Sequence, residues 1–225
     1  MSAEKPRAPD PGDIIWFCRR LASALQGERA LLSALEATMG DAPPELRDRL
    51  RALWRCVCAG GRISAAMREH GWPSFVWGMV ENGERTSALD LALIRVAETL
   101  EGERAVRPPR DRRLHAYSIA FGRLSAMLAT HVPILTALEV AAEATGGGEP
   151  HDVFMAARDA MRGGSTLADA LERMSPVLPE MTFEMIGEAE CEGRLPAALR
   201  VVSDYLLDEA QQPPRGGRRQ EVSNA

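Results

Sequence analysis

From residue 14 onward, Ile14, Phe17, Cys18, Leu21 and Leu25 recur at intervals of three and four with polar residues between them. That spacing stripes one side of a helix, and Asp13 stands as its N-cap. Leu31, Leu32 and Leu35 predict a second helix, stopped by Gly40, Pro43 and Pro44 before a third begins near Glu45. The third presents Leu46, Leu50, Leu53 and Val57 and ends at Gly60 and Gly61. Ile63 to Arg68 form a short fourth, Pro73 opens a fifth that runs through Met79, and Leu89, Leu93, Val96 and Leu100 stripe a sixth. Helices of this length are marginal alone in water, so they must pack as a bundle.

The pattern is then written a second time. Leu21 to Glu36 lies over Leu124 to Glu139, an offset of 103 residues, and Leu21, Leu25, Leu32, Ala34, Leu35 and Glu36 all recur. Ala59 to Met67 matches Gly163 to Leu171, with residue 59 over 163 and an offset of 104. Further on, Met79 to Leu93 matches Met185 to Leu199 with Glu84 over Glu190, Leu89 over Leu195, and an offset of 106. So small a drift needs only a few inserted residues, and Gly146-Gly147-Gly148 and Ser175-Pro176 are loops that accept them. The reading is an all-α chain of two tandem six-helix bundles: a disordered leader 1–12, a first copy 13–103, a basic linker 104–113, a second copy 114–210 and a disordered tail 211–225. At about 90 residues each copy has a small core, so the two are expected to lean on each other or on another chain.

Composition agrees with helices. Aromatic residues are 5% of the chain, while Ala, Leu, Met, Arg and Glu, the residues that lose least on entering a helix, recur throughout. The net charge of −5 repels phosphate backbones and argues against nucleic acid as a partner. Four cysteines without regular spacing give no disulfide framework and fit a reducing cytoplasm. The N-terminal stretch lacks the apolar core of a signal peptide, and Arg123, His131 and Glu139 interrupt the most hydrophobic segment before a membrane span accumulates.

Candidate chemistry is sparse. Glu84 and Glu190 occupy equivalent places and form a pair of carboxylates of the kind acid–base catalysis uses. Each also follows what reads as a helix end, where a carboxylate accepts backbone N–H groups at the next helix start or orients a turn through an ion pair, and this structural role is the better reading. Cys56 and Cys58 are two apart and point to different sides of a helix, unlike a zinc clip, and read as buried helix cysteines. His70, His115, His131 and His151 make no metal-binding spacing, and Gly146-Gly147-Gly148 lacks the following Lys-Ser or Lys-Thr of a phosphate loop. No catalytic residue, metal or cofactor is assigned.

Three segments in order carry a family resemblance: Phe17 to Leu35 in the form F..LA..L..G..LL.AL, Gly163 to Leu171 in the form G.....AL, and a late GE..G.L segment standing as Gly83 to Leu89 and Ala189 to Leu195. In these the chain resembles the type II secretion F-protein domain, shared by bacterial inner-membrane platform proteins of type II secretion and type IV pilus assembly. It departs at Ser87, where the family has its second glycine, and at Ala189, where it has its first. Family members carry hydrophobic hairpins after each cytoplasmic domain, whereas here the ten-residue basic linker Arg104 to Arg113 stands between the copies.

The resemblance implies a cytoplasmic helical domain that contacts the assembly ATPase and other inner-membrane platform subunits and often self-associates. It implies a non-enzymatic scaffold or adaptor, cytoplasmic or peripheral at the cytoplasmic face of the inner membrane, with a homodimer and a weak lipid contact through the linker as further expectations. Gly83, Glu84, Leu89, Glu190, Gly193 and Leu195 are the motif residues, with a structural or interface role. The competing reading is a detached regulatory module unrelated to secretion.

Overall fold

The computed structural model describes residues 8–27, 30–104, 109, 111–175 and 177–212. These form twelve helices and no strand: α1 (Pro11–Gln26), α2 (Leu31–Gly40), α3 (Pro44–Cys58), α4 (Ile63–Glu69), α5 (Ser74–Thr86), α6 (Leu89–Arg104), α7 (Arg112–Ala129), α8 (Ile134–Ala144), α9 (Glu149–Arg162), α10 (Leu167–Met174), α11 (Glu180–Glu192) and α12 (Leu195–Gln211).

Helix existence follows the apolar periodicity; several ends do not. The first helix starts at Pro11, inside the expected leader, because Pro fits the first helical position and Asp10, not Asp13, caps it by accepting from Gly12 N–H at 2.8 Å. The fifth runs on to Thr86 instead of stopping near Met79, since Val80, Asn82 and Gly83 keep facing the core. Leu32 is 37% exposed, off the core side of α2, which Ala34, Leu35 and Thr38 occupy. The linker is shortened from both sides, by α6 through Arg104 and by α7 from Arg112; residues 105–108 and 110 lie outside the described residues, as do 1–7 of the leader and 213–225 of the tail.

In each half the first and last helices close the bundle, α1 along α6 and α7 along α12. The α7/α12 seam is built from small residues: Ser118 and Ser203 hydroxyls donate to each other's backbone carbonyls at 2.9 and 2.8 Å, and Ser125 donates to the Pro196 carbonyl at 2.7 Å. A Cβ on Gly122 would stand 3.0 Å from Ser203 Oγ, so the close approach of the two helices depends on that glycine. Phe17 packs on Trp72 with ring centroids 5.0 Å apart in the first core, and Phe121 on Phe154 at 5.1 Å in the second.

The two halves share one continuous apolar cluster. At the junction, α5 and α6 meet α7 and α8. Arg123 of α7 makes a bidentate ion pair with Glu103 of α6 at 2.7 and 2.9 Å while its guanidinium lies 5.2 Å over the Phe75 ring. Asn82 of α5 donates to the Thr130 carbonyl, and Thr130 Oγ1 lies 3.4 Å from Met79 Sδ. Phe75 and Met79 are 1% and 0% exposed, so the junction is a packed interface and the expectation that the halves lean on each other is met.

Candidate functional site

The motif residues gather at equivalent corners of the two halves. Glu84 projects from α5 back to the start of α4, where Oε1 accepts from Ile63 N–H at 2.8 Å and Oε2 from the Ser64 hydroxyl at 2.5 Å. Glu190 projects from α11 to the start of α10 and accepts from Leu167 N–H at 2.7 Å and Ala168 N–H at 3.0 Å. Both carboxylates therefore sit at the positive end of a short helix and satisfy donors that the helix itself leaves unpaired. The capped helix precedes the carboxylate in the chain, whereas the following one was expected, because Gly83 is interior to α5 and not its end. In the first half no side chain from Arg62 caps α4; in the second, Thr166 also accepts from Asp169 N–H at 3.1 Å.

At Gly83 α5 and α6 approach closely: a Cβ there would lie 2.8 Å from Ala92 Cβ and 3.0 Å from Leu89 Cα. The second half carries Ala189 at this position, so its α11/α12 corner accommodates a methyl group that the first corner excludes. Each corner then turns through a left-handed residue. Gly193 ends α11 at φ 70°, and Ser87 ends α5 at φ 58°, a conformation a side chain adopts only at a cost. The turns are otherwise alike: Ala88 N–H donates to the Gly83 carbonyl and Arg194 N–H to the Ala189 carbonyl, each at 2.9 Å. Leu89 and Leu195 open the next helices, half-buried against the core.

Chemically these corners are closed. Both oxygens of each glutamate are engaged at helix starts, those of Glu84 by a backbone N–H and the Ser64 hydroxyl and those of Glu190 by two backbone N–H groups. Among the described residues no group of three or more His, Cys, Asp and Glu could hold a metal ion. All four cysteines are free; Cys18 is buried and its thiol is pushed up by desolvation, but Cys58 is exposed and Cys56 half-buried, contrary to the reading of both as buried. They fall at the end of α3, past its last buried leucine. His115, on α7 facing α6 and α12, has its pKa lowered by burial against a smaller opposing pull from Glu103, and its Nδ1 has no hydrogen-bond partner among the described residues.

The surfaces left open are helix faces. Leu25, Leu31, Arg62, Ser87 and Leu89 line a shallow depression beside Glu84. On the second half, Met185, Ala189, Ala197 and Val201 line another, with Met181 44% and Val201 53% exposed. Neither exposure was read from the sequence, since both residues keep helical apolar spacing; only comparison with their repeat partners, the buried Phe75 and the polar Arg95, marks them out.

Two segments, residues 17–115 and 120–212, match the family model for protein F of the type II secretion system. Over 86 residues the chain is 33% identical to the type IV pilus assembly protein PilC of Myxococcus xanthus (strain DK1622), a match covering 38% of this chain and 20% of that protein. The chain thus spans about a fifth of that relative's length. The family is a non-enzymatic platform family, in keeping with corners whose carboxylates serve helices. With both halves matched and the repeated motif at the same place in each, the chain belongs to the type II secretion system protein F family, as two tandem copies of its domain.

Proposed function

We propose that the chain is a helical scaffold or adaptor for an inner-membrane secretion or pilus-type machine, binding its assembly ATPase or another platform subunit through helix faces. The observation that carries this reading is the pair of family domains packed against each other, whose motif carboxylates are consumed in capping helices and whose open surface consists of helix faces. The module works by assembly and turns nothing over. No helix among the described residues is long and apolar enough to cross a membrane. The arginines of the linker, of which Arg104, Arg112 and Arg113 are described at its two ends, offer anionic lipid of the cytoplasmic face an electrostatic contact.

The experiment is affinity capture of the tagged chain from its own cells, with membrane and soluble fractions taken at low and high salt. Recovery of a secretion or pilus ATPase or platform subunit is the expected result, and release from membranes by salt assigns the arginines their role. Capture of regulatory proteins alone, with no such component in either fraction, overturns the reading in favour of a detached module.

A further inference from the structure

Helices α5 and α11 are repeat equivalents, 106 residues apart, in different surroundings. The outer face of α5 is covered by the second half: α7 brings Arg123 over the Phe75 ring, and Phe75, Met79 and Asn82 are all buried. On α11 the same face stays open among the described residues. Met181, in the place of Phe75, is 44% exposed. Met185, in the place of Met79, is half-buried and lines a shallow groove with Ala189, Ala197, Ala198 and Val201. Val201 is 53% exposed where the first half has the charged Arg95, so the second half extends its apolar floor onto open surface.

The charge around that floor has changed as well. Positions one turn apart along α5 are Ser74, Gly78, Asn82 and Thr86, none of them charged; along α11 they are Glu180, Glu184, Glu188 and Glu192, all exposed. Like charges four residues apart weaken the helix that carries them, a conflict that a cationic occupant relieves. Glu192 pairs with Arg194, but Glu184 and Glu188 have no ion-pair partner among the described residues. Where Asn82 donates to the Thr130 carbonyl, Glu188 can only accept. The α11 face is therefore not a copy of the junction: it calls for donors and positive charge, and it repels anionic lipid. Helix α3 has that chemistry on its exposed side, with Arg47, Arg51 and Arg55, but its Leu46, Leu50 and Leu53 are buried in its own core. It has no apolar face left to offer the groove of another copy.

We propose that the α11/α12 groove docks a cationic amphipathic helix of a partner protein. Met181, Met185 and Val201 receive the apolar side of that helix, and Glu184 and Glu188 pair with its lysines or arginines. Methionine suits such a floor because its unbranched side chain adapts to the shape it meets. The proposal rests on the scaffold reading for the kind of protein that supplies the helix.

The test is fluorescence anisotropy of a labelled synthetic peptide of about 18 residues, long enough to hold a helix, with leucines on one side and lysines and arginines on the other. Titration with the purified full chain is expected to give saturable binding that weakens with salt. Val201→Arg, which installs the residue of the first half, and the pair Glu184→Lys with Glu188→Lys each weaken binding by about tenfold or more at an unchanged thermal midpoint. The same charge change at the exposed Glu143 of α8 or Glu172 of α10 leaves binding within about twofold. No binding, or equal weakening by the α8 and α10 changes, overturns the proposal. So does binding that tightens about tenfold in Arg218→Glu with Arg219→Glu, since the end of the chain itself would then be the occupant. Self-association that Val201→Arg abolishes overturns it too, in favour of a second copy. Affinity capture with the same variants separates this site from the scaffold reading. Secretion or pilus components captured equally by the chain and its variants sink the site alone; peptide binding with no such component captured keeps the site and removes the scaffold reading.

Discussion

The twin glutamates make unequal helix caps, and the inequality is measurable. In Glu→Gln one oxygen is kept and the other becomes an NH2 group. At residue 84 the NH2 replaces the oxygen that receives the Ser64 hydroxyl, and that hydroxyl can turn round and accept from it. At residue 190 the NH2 replaces the oxygen that receives Ala168 N–H, a backbone donor that cannot reverse, so two donors face each other. Both variants lose the negative charge at a helix start, worth about 0.5 kcal/mol, and exchange a charge-assisted bond for a neutral one. Only Glu190→Gln also strands a partly buried N–H, which adds on the order of 1 to 2 kcal/mol. The expected costs are therefore about 1 kcal/mol for Glu84→Gln and about 2 to 3 kcal/mol for Glu190→Gln. Urea unfolding followed by circular dichroism reads both as shifts in midpoint at constant slope. Equal costs, or a larger cost at residue 84, would refute the capping account of the motif.

Other consequences follow from the same corners and cores. Ser87→Gly relieves a left-handed serine and should raise stability by about 0.5 kcal/mol, whereas Gly193→Ala should lower it by about 1 kcal/mol, as thermal melts of the two variants would show. Burial lowers the His115 pKa from its ordinary 6.5, so the unfolded chain takes up the proton first as pH falls. Stability should accordingly decline below about pH 6.5, where unfolded histidine titrates, and His115→Phe should flatten that part of the urea-midpoint profile. Maleimide should label Cys58 and Cys191 promptly in the folded chain and reach Cys18 only on unfolding, resolved by mass spectrometry of the modified peptides.

The helices were legible wherever apolar residues recur at three and four, as in Leu46, Leu50 and Leu53 of α3, because burial of one face leaves that spacing behind. The repeat was legible for the same reason, its offsets carrying α5 onto α11 and α6 onto α12 residue for residue. Ends were less so. Gly83 looks like a stop because glycine weakens a helix interior, yet it stays in α5 since only glycine lets α6 approach so closely. The capping role of Glu84 and Glu190 was legible in kind, but its direction was not: which helix start lies within reach depends on the packing of α4 against α5, which no local pattern encodes. The Arg123–Glu103 pair crosses from one half to the other, and nothing in the residues around either marks it.

A scaffold built from this pair of protein F domains would bind components of the secretion or pilus-type machine it serves. The most direct measurement is binding of the purified chain to the purified assembly ATPase and platform subunits of its own cell, followed by analytical ultracentrifugation. Saturable association with at least one of them, lost when the exposed helix face around Met181 and Val201 is altered, is the predicted result. Absence of binding to every one of them, with the chain folded and at concentrations well above those in the cell, would contradict it.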